Sequence, residues 1–175
     1  ATLITHKNLT DNVNQFEATI QDFKRGETMV TIPPIFHILG FNNCLYLPLR
    51  SGIKVVLIPK YNKNNLPLIF KKYAPEYFFA VPKIGRDILK QDMTDVDMSS
   101  LKYMVFGGEE MDSKFLQDVT DLIQNHNGKI KASQSLGATE ATCSMTNTFN
   151  NCNVIGSLGI PLIGLDAKVV KIKNV

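Results

Sequence analysis

The residues best suited to chemistry lie between Gln134 and Glu140, in the stretch Gln-Ser-Leu-Gly-Ala-Thr-Glu. Gly137 would allow a ligand to approach the backbone closely. The hydroxyl of Thr139 can donate to a phosphate oxygen, and the carboxylate of Glu140 can bind a hard cation such as Mg²⁺. The same residues also fit a helix amino terminus, with Thr139 as its cap and Glu140 favoured by the helix dipole. Local chemistry alone leaves both interpretations open.

Two other segments contain residues of comparable potential. Gly107-Gly108-Glu109-Glu110 follows a predicted strand, and His37 follows a pair of prolines. Each has a structural explanation as well, because glycines suit a strand-end turn, glutamates can be solvated charges and a lone histidine can pack in a core. The nucleophile motif Gly-x-Ser-x-Gly and the two common glycine-rich phosphate motifs are absent from the sequence.

Hydrophobic periodicity predicts strands that alternate with helices, a pattern typical of parallel sheets with crossover connections. We therefore predict an α/β fold in which residues 1–175 form one unit, with a mostly parallel sheet and helices on both faces. The β-branched strand 53–58 is expected to be buried on both faces. The predicted helices cover residues 6–23, 35–49, 66–73, 82–91 and 112–126, and the predicted strands cover residues 28–32, 53–58, 77–81, 101–106, 128–133 and 166–172.

The three segments whose residues could take part in chemistry each follow a predicted strand. In open parallel sheets, ligands bind outside the carboxyl ends of the strands. We therefore expect the loops at residues 33–37, 107–110 and 134–140 to lie together at one edge of the sheet. This convergence favours a functional site more strongly than any single loop does.

Composition limits the classes of function. The net charge is only +3, with the basic residues scattered, so nucleic acid is not an expected partner. The three cysteines include no Cys-x-x-Cys pair, which favours a reducing compartment over a disulfide framework or a zinc site. No apolar run approaches the length of a transmembrane helix. We therefore expect a cytoplasmic protein without a membrane span.

Four motifs, taken in order, resemble the adenylate-forming superfamily, which includes acyl- and aryl-CoA ligases and the adenylation domains of peptide synthetases. Each motif is weak alone, but their order over most of the chain makes the match specific. The segment Thr5–Leu9 also resembles the one that follows the family's phosphate loop. The motifs are Pro-x-Phe-His-x-x-Gly at 34–40, Gly-Gly-Glu at 107–109, Gly-x-Thr-Glu at 137–140 and Gly-Ser-x-Gly-x-Pro-x-x-Gly at 156–164.

The resemblance implies catalytic roles for three residues. Thr139 matches the threonine that contacts the ATP phosphates, and Glu140 matches the carboxylate that holds Mg²⁺. His37 matches the histidine beside the pocket for the substrate carboxylate.

It further implies that a set of backbone and side-chain groups binds the nucleotide. Within this set, Gln134 stands where the family often contacts the adenine ring. Leu136 departs from the family, which usually has an aromatic residue flat against the adenine, so we expect weaker nucleotide binding. The set comprises Gly107, Gly108, Glu109, Gln134, Ser135, Leu136, Gly137 and Thr139.

The activity implied is ATP-dependent ligation of a carboxylic acid, expected to be a long- or medium-chain fatty acid, to coenzyme A through an acyl-adenylate. The alternatives are a peptide-synthetase-type adenylation domain and a non-catalytic nucleotide-binding or interaction module. The chain resembles only the central part of the family's large domain. We therefore expect the remaining segments of its own full-length chain to be partners, and residues 1–175 alone to be inactive.

Overall fold

A five-stranded parallel sheet forms the centre of the computed structural model, which describes residues 2–20, 22–148 and 153–170. The strand order is β2-β1-β3-β4-β5, and each neighbouring pair is parallel. This confirms the predicted α/β class. The strands are β1 (Thr28–Thr31), β2 (Lys54–Leu57), β3 (Tyr77–Ala80), β4 (Tyr103–Gly107) and β5 (Ser133–Ser135).

Helices cover both faces of the sheet, as the alternation predicts. Two separate hydrophobic cores result, with α1, α2 and a π-helix on one face and α3, α4 and α5 on the other. A short 3₁₀ turn, Lys63–Asn65, precedes α3. The helices are α1 (His6–Ile20), a π-helix (Leu39–Tyr46), α2 (Leu47–Arg50), α3 (Leu66–Tyr73), α4 (Pro82–Ile88) and α5 (Ser113–Asn125).

The central strand β3 shows how one apolar run serves both cores. Tyr77 and Phe79 pack in the core with α1, whereas Phe78 and Ala80 pack in the core with α3, α4 and α5. Successive side chains of a strand point to opposite faces, so a strand covered on both sides must be apolar throughout. All four residues are buried.

Side chains fix the starts of two predicted helices. Asp112 accepts a hydrogen bond from the backbone N–H of Phe115 at 2.6 Å and so caps α5. Thr5 accepts one from the N–H of Asn8 at 3.1 Å, while the Asn8 amide oxygen accepts from the N–H of Thr5. Such bonds satisfy amide groups that have no partner within the helix.

The expected burial of residues 53–58 on both faces is wrong. β2 lies at the edge of the sheet, and Lys54 and Leu57 are exposed there. An apolar β-branched run does not distinguish a central strand from an edge strand, because burial depends on which neighbours the strand has.

The prediction of a strand at residues 128–133 is also wrong, since β5 starts at Ser133. Gly128 instead donates its N–H to the carbonyl of Ile123 at the end of α5. Thr120 in α5 accepts a hydrogen bond from the N–H of Ala132 at 3.0 Å. These bonds hold the connection against α5, so that only residues 133–135 pair with β4.

Other predicted elements differ at their ends. The helix expected from residue 35 begins only after His37. Ile35 and Phe36 lie before it, in an exposed turn. The expected helices ending at residues 23 and 91 end at Ile20 and Ile88. Residues 166–170 are irregular instead of forming the expected last strand, whose residues 171 and 172 lie outside the described part.

Two short antiparallel ladders were not predicted. β6 (Gly137–Ala138) pairs with β7 (Cys143–Ser144), and β8 (Thr146–Asn147) pairs with β9 (Ile160–Pro161). Pairs of two residues are too short for periodicity to indicate them. Both ladders follow β5 in the chain and build the region beyond the carboxyl end of the sheet.

Within the described residues, every helix is too short or too polar to cross a bilayer. Cys44 and Cys143 are free and buried, and Cys152 lies outside the described residues.

Candidate functional site

The three loops singled out in the sequence border one cavity at the carboxyl edge of the sheet. Its volume is about 230 Å³. His37 lines it from the first loop, Gly107 and Gly108 from the second, and Ser135 and Thr139 from the third. The parallel sheet brings these residues together because they follow strands whose carboxyl ends share one edge.

The cavity extends from exposed loops into the core around α1. His37, Gly108 and Thr139 are exposed, whereas Phe16 and Phe79 are almost completely buried. The inner wall is therefore mainly apolar, while the outer rim consists of polar side chains and backbone groups.

Three polar residues of the inner wall were not identified from the sequence. They are Asn43 in the π-helix and Cys143 and Ser144 in β7, and all three are buried. Asn43 donates from Nδ2 to the Ser144 hydroxyl at 2.6 Å. The one sequence signal was Asn42-Asn43 in the middle of a largely apolar helix, since buried amides need partners.

Buried asparagines attach the β6–β7 hairpin to the helices. Asn12 in α1 donates to the Ser144 carbonyl at 2.7 Å, and Asn42 donates to the Asn12 side chain at 2.9 Å and to the Thr142 carbonyl at 3.2 Å. Thr142 and Cys143 have positive φ values of 63° and 109°. Such conformations are costly for residues other than glycine, and the surrounding hydrogen bonds maintain them here.

Burial raises the pKa of the Cys143 thiol to about 12. Burial, with the nearby Cys143, likewise raises the pKa of Cys44. A thiol must lose its proton to become a good nucleophile. At neutral pH both cysteines are therefore protonated and act as small apolar side chains.

A second cavity of about 450 Å³ adjoins the first. Gly108, Ser135 and Gly137 line both cavities, so the same two backbone segments form the wall between them. Gln134 and Leu136 line only the second cavity. The remainder of its lining is Glu109, Glu110, Met111, Gly156 and Leu158.

Two positions of this shared wall require glycine for steric reasons. Gly108 has a φ of +90°, a conformation that other residues rarely adopt. A Cβ atom on Gly137 would lie 2.2 Å from the carbonyl oxygen of Cys143 in the paired strand. Replacing Gly137 would therefore separate β6 from β7.

Thr146 joins the third loop to the segment around Leu158. Its hydroxyl accepts from the N–H of Leu136 at 3.0 Å and donates to the Leu158 carbonyl. Ser135 donates from its hydroxyl to the Thr146 carbonyl at 2.7 Å. These bonds fix the position of Leu136, whose side chain is 40% exposed beside the second cavity.

Thr139 and Glu140 do not start an α-helix, which contradicts the alternative explanation of these residues. They belong to a single 3₁₀ turn, Thr139–Ala141, whose N-cap is Ala138 without a side-chain hydrogen bond. Thr139 lines the first cavity, whereas Glu140 lines neither cavity. The Glu140 carboxylate is exposed and accepts from the Thr2 hydroxyl at 3.3 Å.

The other predicted site residues are held loosely. His37 accepts a hydrogen bond at Nδ1 from the N–H of Leu39 at 3.2 Å, which orients the ring at the start of the helix. Glu109 lies 3.9 Å from Arg86, and both side chains are more than half exposed. Exposed pairs contribute little to stability, so Glu109 remains available to other partners.

Curated relatives match nearly all of this chain but only part of their own length. A probable 4-coumarate–CoA ligase of Dictyostelium discoideum is 30% identical over 171 residues, which cover 95% of this chain and 30% of the relative. A long-chain-fatty-acid–CoA ligase of Bacillus subtilis is 26% identical over 170 residues, with the same coverage. The chain thus spans about 30% of the length of these relatives.

Solved structures share the fold. The anthranilate CoA ligase AuaEII in complex with anthranoyl-AMP superposes with a TM-score of 0.83 at 19% identity, over 95% of this chain and 32% of that structure. A model described as AMP-binding enzyme matches residues 1–174. This match covers all four motifs at the carboxyl edge and confirms the resemblance seen in them, and the chain accordingly belongs to the AMP-binding enzyme family.

Proposed function

We propose that the full-length protein is an ATP-dependent acid–thiol ligase that activates a carboxylic acid as its acyl-adenylate and transfers the acyl group to coenzyme A. The observation that supports this best is the pair of adjoining cavities with a shared wall of Gly108, Ser135 and Gly137. Two substrates held on either side of a thin backbone wall can meet at its edge. Adenylate formation requires such a meeting of an acid and a nucleotide.

In this proposal the nucleotide occupies the second cavity. Gly108 and Glu109 contribute mainly backbone to the adenine wall, and Ser135 and Gly137 complete it. Gly107 precedes them in the same segment but lines only the first cavity. Gln134 and Leu136 contact the ring from the β5 side. The open, partly polar lining of this cavity suits a purine and a ribose.

Thr139 and Glu140 are assigned to the phosphate end. Thr139 lies at the rim of the first cavity, and its hydroxyl can donate to a phosphate oxygen. The Glu140 carboxylate suits Mg²⁺, which is usually bound by one or two carboxylates together with substrate phosphates. Within the described residues no cluster of three or more His, Cys, Asp or Glu side chains occurs, so phosphate oxygens would supply the remaining ligands. Bound Mg²⁺ would offset charge on the phosphates.

The acid occupies the first cavity with its carboxylate toward His37. A carboxylate oxygen attacks the α-phosphorus of ATP, a P–O bond forms, and pyrophosphate leaves. The thiol sulfur of coenzyme A then attacks the acyl carbon, the thiol loses its proton, and AMP leaves. Donors at the rim, including Thr139, stabilise the negative charge that develops during the first step.

Two acid classes are candidates. A medium- or long-chain fatty acid is supported by the apolar residues Ile38 and Leu39 in the cavity wall and by the Bacillus relative. An aryl or arylalkenyl acid is supported by the Dictyostelium relative and by the buried rings of Phe16 and Phe79. We further propose that the protein is cytoplasmic and that residues 1–175 are part of a larger nucleotide-binding domain.

Acid-dependent exchange of labelled pyrophosphate into ATP by the full-length protein tests the first half-reaction. We expect exchange with members of one acid class, and thioester formation when coenzyme A is added. Exchange without transfer to coenzyme A would instead indicate an adenylation domain that uses another thiol. Nucleotide binding without exchange for any carboxylic acid would favour a non-catalytic module.

A further inference from the structure

One buried hydroxyl connects two separate segments of the lining of the second cavity. Oγ1 of Thr146 accepts a hydrogen bond from the N–H of Leu136 at 3.0 Å and donates one to the carbonyl of Leu158. Leu136 and Leu158 line the cavity with exposed apolar side chains, whereas Thr146 is buried and lines neither cavity. Thr146 therefore lies behind the cavity wall and joins two parts of it.

The two contacts use both the donor and an acceptor site of the hydroxyl. A threonine hydroxyl has one O–H donor and can accept hydrogen bonds through its oxygen. Valine has nearly the same shape as threonine but supplies neither group, whereas serine supplies both. The contribution of the hydroxyl can therefore be separated from that of the side-chain volume.

The segment that contains Leu136 is also held by contacts that do not involve the Thr146 side chain. The Leu136 carbonyl accepts hydrogen bonds from the N–H groups of Met145 and Thr146 at 2.8 and 3.2 Å. The Ser135 hydroxyl donates to the Thr146 carbonyl at 2.7 Å. These contacts remain when the Thr146 hydroxyl is removed, so this part of the wall should keep its place.

The turn at residues 154–158 depends more on this hydroxyl. Pairing of β9 with β8 begins only at Ile160, beyond the turn. The hydrogen bond from the N–H of Ser157 to the carbonyl of Val154, at 2.9 Å, lies within the turn. The Thr146 hydroxyl, by contrast, attaches the turn to β8. Its loss should therefore allow the turn to move relative to β5.

We propose that Thr146 is a positioning residue of the nucleotide site, whose hydroxyl sets the spacing of Leu136 and Leu158 for a purine ring. This inference rests on the proposed function, because that function assigns the nucleotide to the second cavity. The two exposed apolar side chains gain from being covered by a ring, and a change in their spacing reduces the area that the ring covers. None of the three residues lines the first cavity, so the acid bound there should be little affected.

Thr146→Val in the full-length protein removes the hydroxyl and keeps the shape of the side chain. We expect the KM for ATP in pyrophosphate exchange, and the Kd for ATP measured by calorimetry, to rise about fivefold to fiftyfold. The KM for the acid and kcat should change little, because the first cavity keeps its own contacts. Thr146→Ser retains both hydrogen bonds and should restore the affinity for ATP to nearly the wild-type value.

Thr120→Val is the matched control, because the Thr120 hydroxyl makes the same pair of contacts elsewhere in the fold. It accepts a hydrogen bond from the N–H of Ala132 at 3.0 Å and donates one to the carbonyl of Leu116 at 2.7 Å. Thr120 is buried and lines neither cavity. The control should lower the unfolding temperature about as much as Thr146→Val does, while its Kd for ATP should equal that of the wild type.

A second variant tests the proposal if Thr146→Val does not fold. Thr146→Cys replaces the hydroxyl by a thiol, which donates and accepts hydrogen bonds only weakly. Its affinity for ATP should lie severalfold below that of Thr146→Ser.

The outcomes separate this inference from the proposed function. Wild-type affinity for ATP in Thr146→Val, an equal loss of affinity in Thr120→Val, or an equal rise in the KM values for acid and ATP would overturn the role of Thr146 even if exchange is rapid. A loss of ATP affinity that serine restores, without exchange for any carboxylic acid, would support the positioning role and contradict the ligase activity.

Discussion

The amino and carboxyl ends of the sheet differ in whether their polar side chains have hydrogen-bond partners. At the amino end, Glu27 accepts hydrogen bonds from Tyr77 and Lys102, and Asp22 accepts one from Tyr103. At the carboxyl end, five buried side-chain atoms among the described residues have no hydrogen-bond partner. They are Oδ1 of Asn42, Oδ1 of Asn43, both amide atoms of Asn147 and the hydroxyl oxygen of Thr148. At the amino end, other residues of the chain supply the hydrogen-bond partners of these polar groups, whereas at the carboxyl end some buried groups in the described part of the chain have no partner.

The residues just before the strands build the amino-end cluster. Glu27 precedes β1, Glu76 precedes β3, and Lys102 precedes β4. Glu76 accepts a hydrogen bond at its side chain from the N–H of Thr28 at 2.7 Å and, at its carbonyl, one from the N–H of Lys102 at 2.8 Å. These contacts connect the three central strands. The amino end therefore contributes to stability, and the unpaired groups at the carboxyl end support the binding role proposed for it.

The largest effect is expected from Glu140→Ala in the full-length protein. Loss of the proposed Mg²⁺ ligand beside the reacting phosphates should lower the rate of pyrophosphate exchange about 10²–10³-fold. The side chain is exposed, so the unfolding temperature should change little.

Asp95→Ala is a control for loss of an exposed carboxylate, because Asp95 lies in the connection before β4 and lines neither cavity. Its exchange rate should match the wild type. An unchanged rate in Glu140→Ala would show that Glu140 does not act in the site. It would also weaken the proposed binding role of the carboxyl end.

Glu27→Gln should have the reverse effect, with activity retained and stability reduced. Glu27 is only 16% exposed at its side chain, and a hydrogen-bonded charge of this kind contributes about 2 kcal/mol. Chemical denaturation monitored by circular dichroism measures the loss. A double-mutant cycle with Tyr77→Phe should show non-additivity, because the two side chains share a hydrogen bond.

The stability difference between wild type and Glu27→Gln should depend on pH. Burial opposes ionisation of Glu27, but hydrogen bonds from Lys102 and Tyr77 outweigh it and lower the pKa of the carboxyl. The carboxylate therefore stabilises the folded state fully above the unfolded pKa of about 4.3, and this stabilisation is lost as the pH falls through the lower folded value. A difference that is constant from pH 7 down to pH 3 would contradict this assignment.

The smallest effect is expected at Leu136, beside the second cavity. Leu136→Phe would supply an aromatic face for a purine, worth roughly 0.5–1.5 kcal/mol, so the KM for ATP should fall severalfold. Leu136→Ile is a control that retains apolar area without a ring. An unchanged KM in the phenylalanine variant would place the nucleotide away from Leu136.

Local sequence determined most of the helices and the central strands. The apolar spacing in α3 and α5 and the cap at Asp112 are properties of neighbouring residues, so they could be predicted without the fold. The same holds for β3, whose four apolar residues require cover on both sides. The order of the motifs also sufficed to identify the family. The alternation of strands and helices, which predicts a parallel sheet, placed the three loops at one edge.

Only the tertiary structure decided which residues share a cavity. Asn43 and Ser144 are 101 positions apart and meet because the β6–β7 hairpin packs on the π-helix. The edge position of β2 and the late start of β5 likewise depend on pairing between distant segments. Periodicity reports the environment of a residue along its own element, but a strand's neighbours and a cavity's walls are set by long-range contacts that it does not encode.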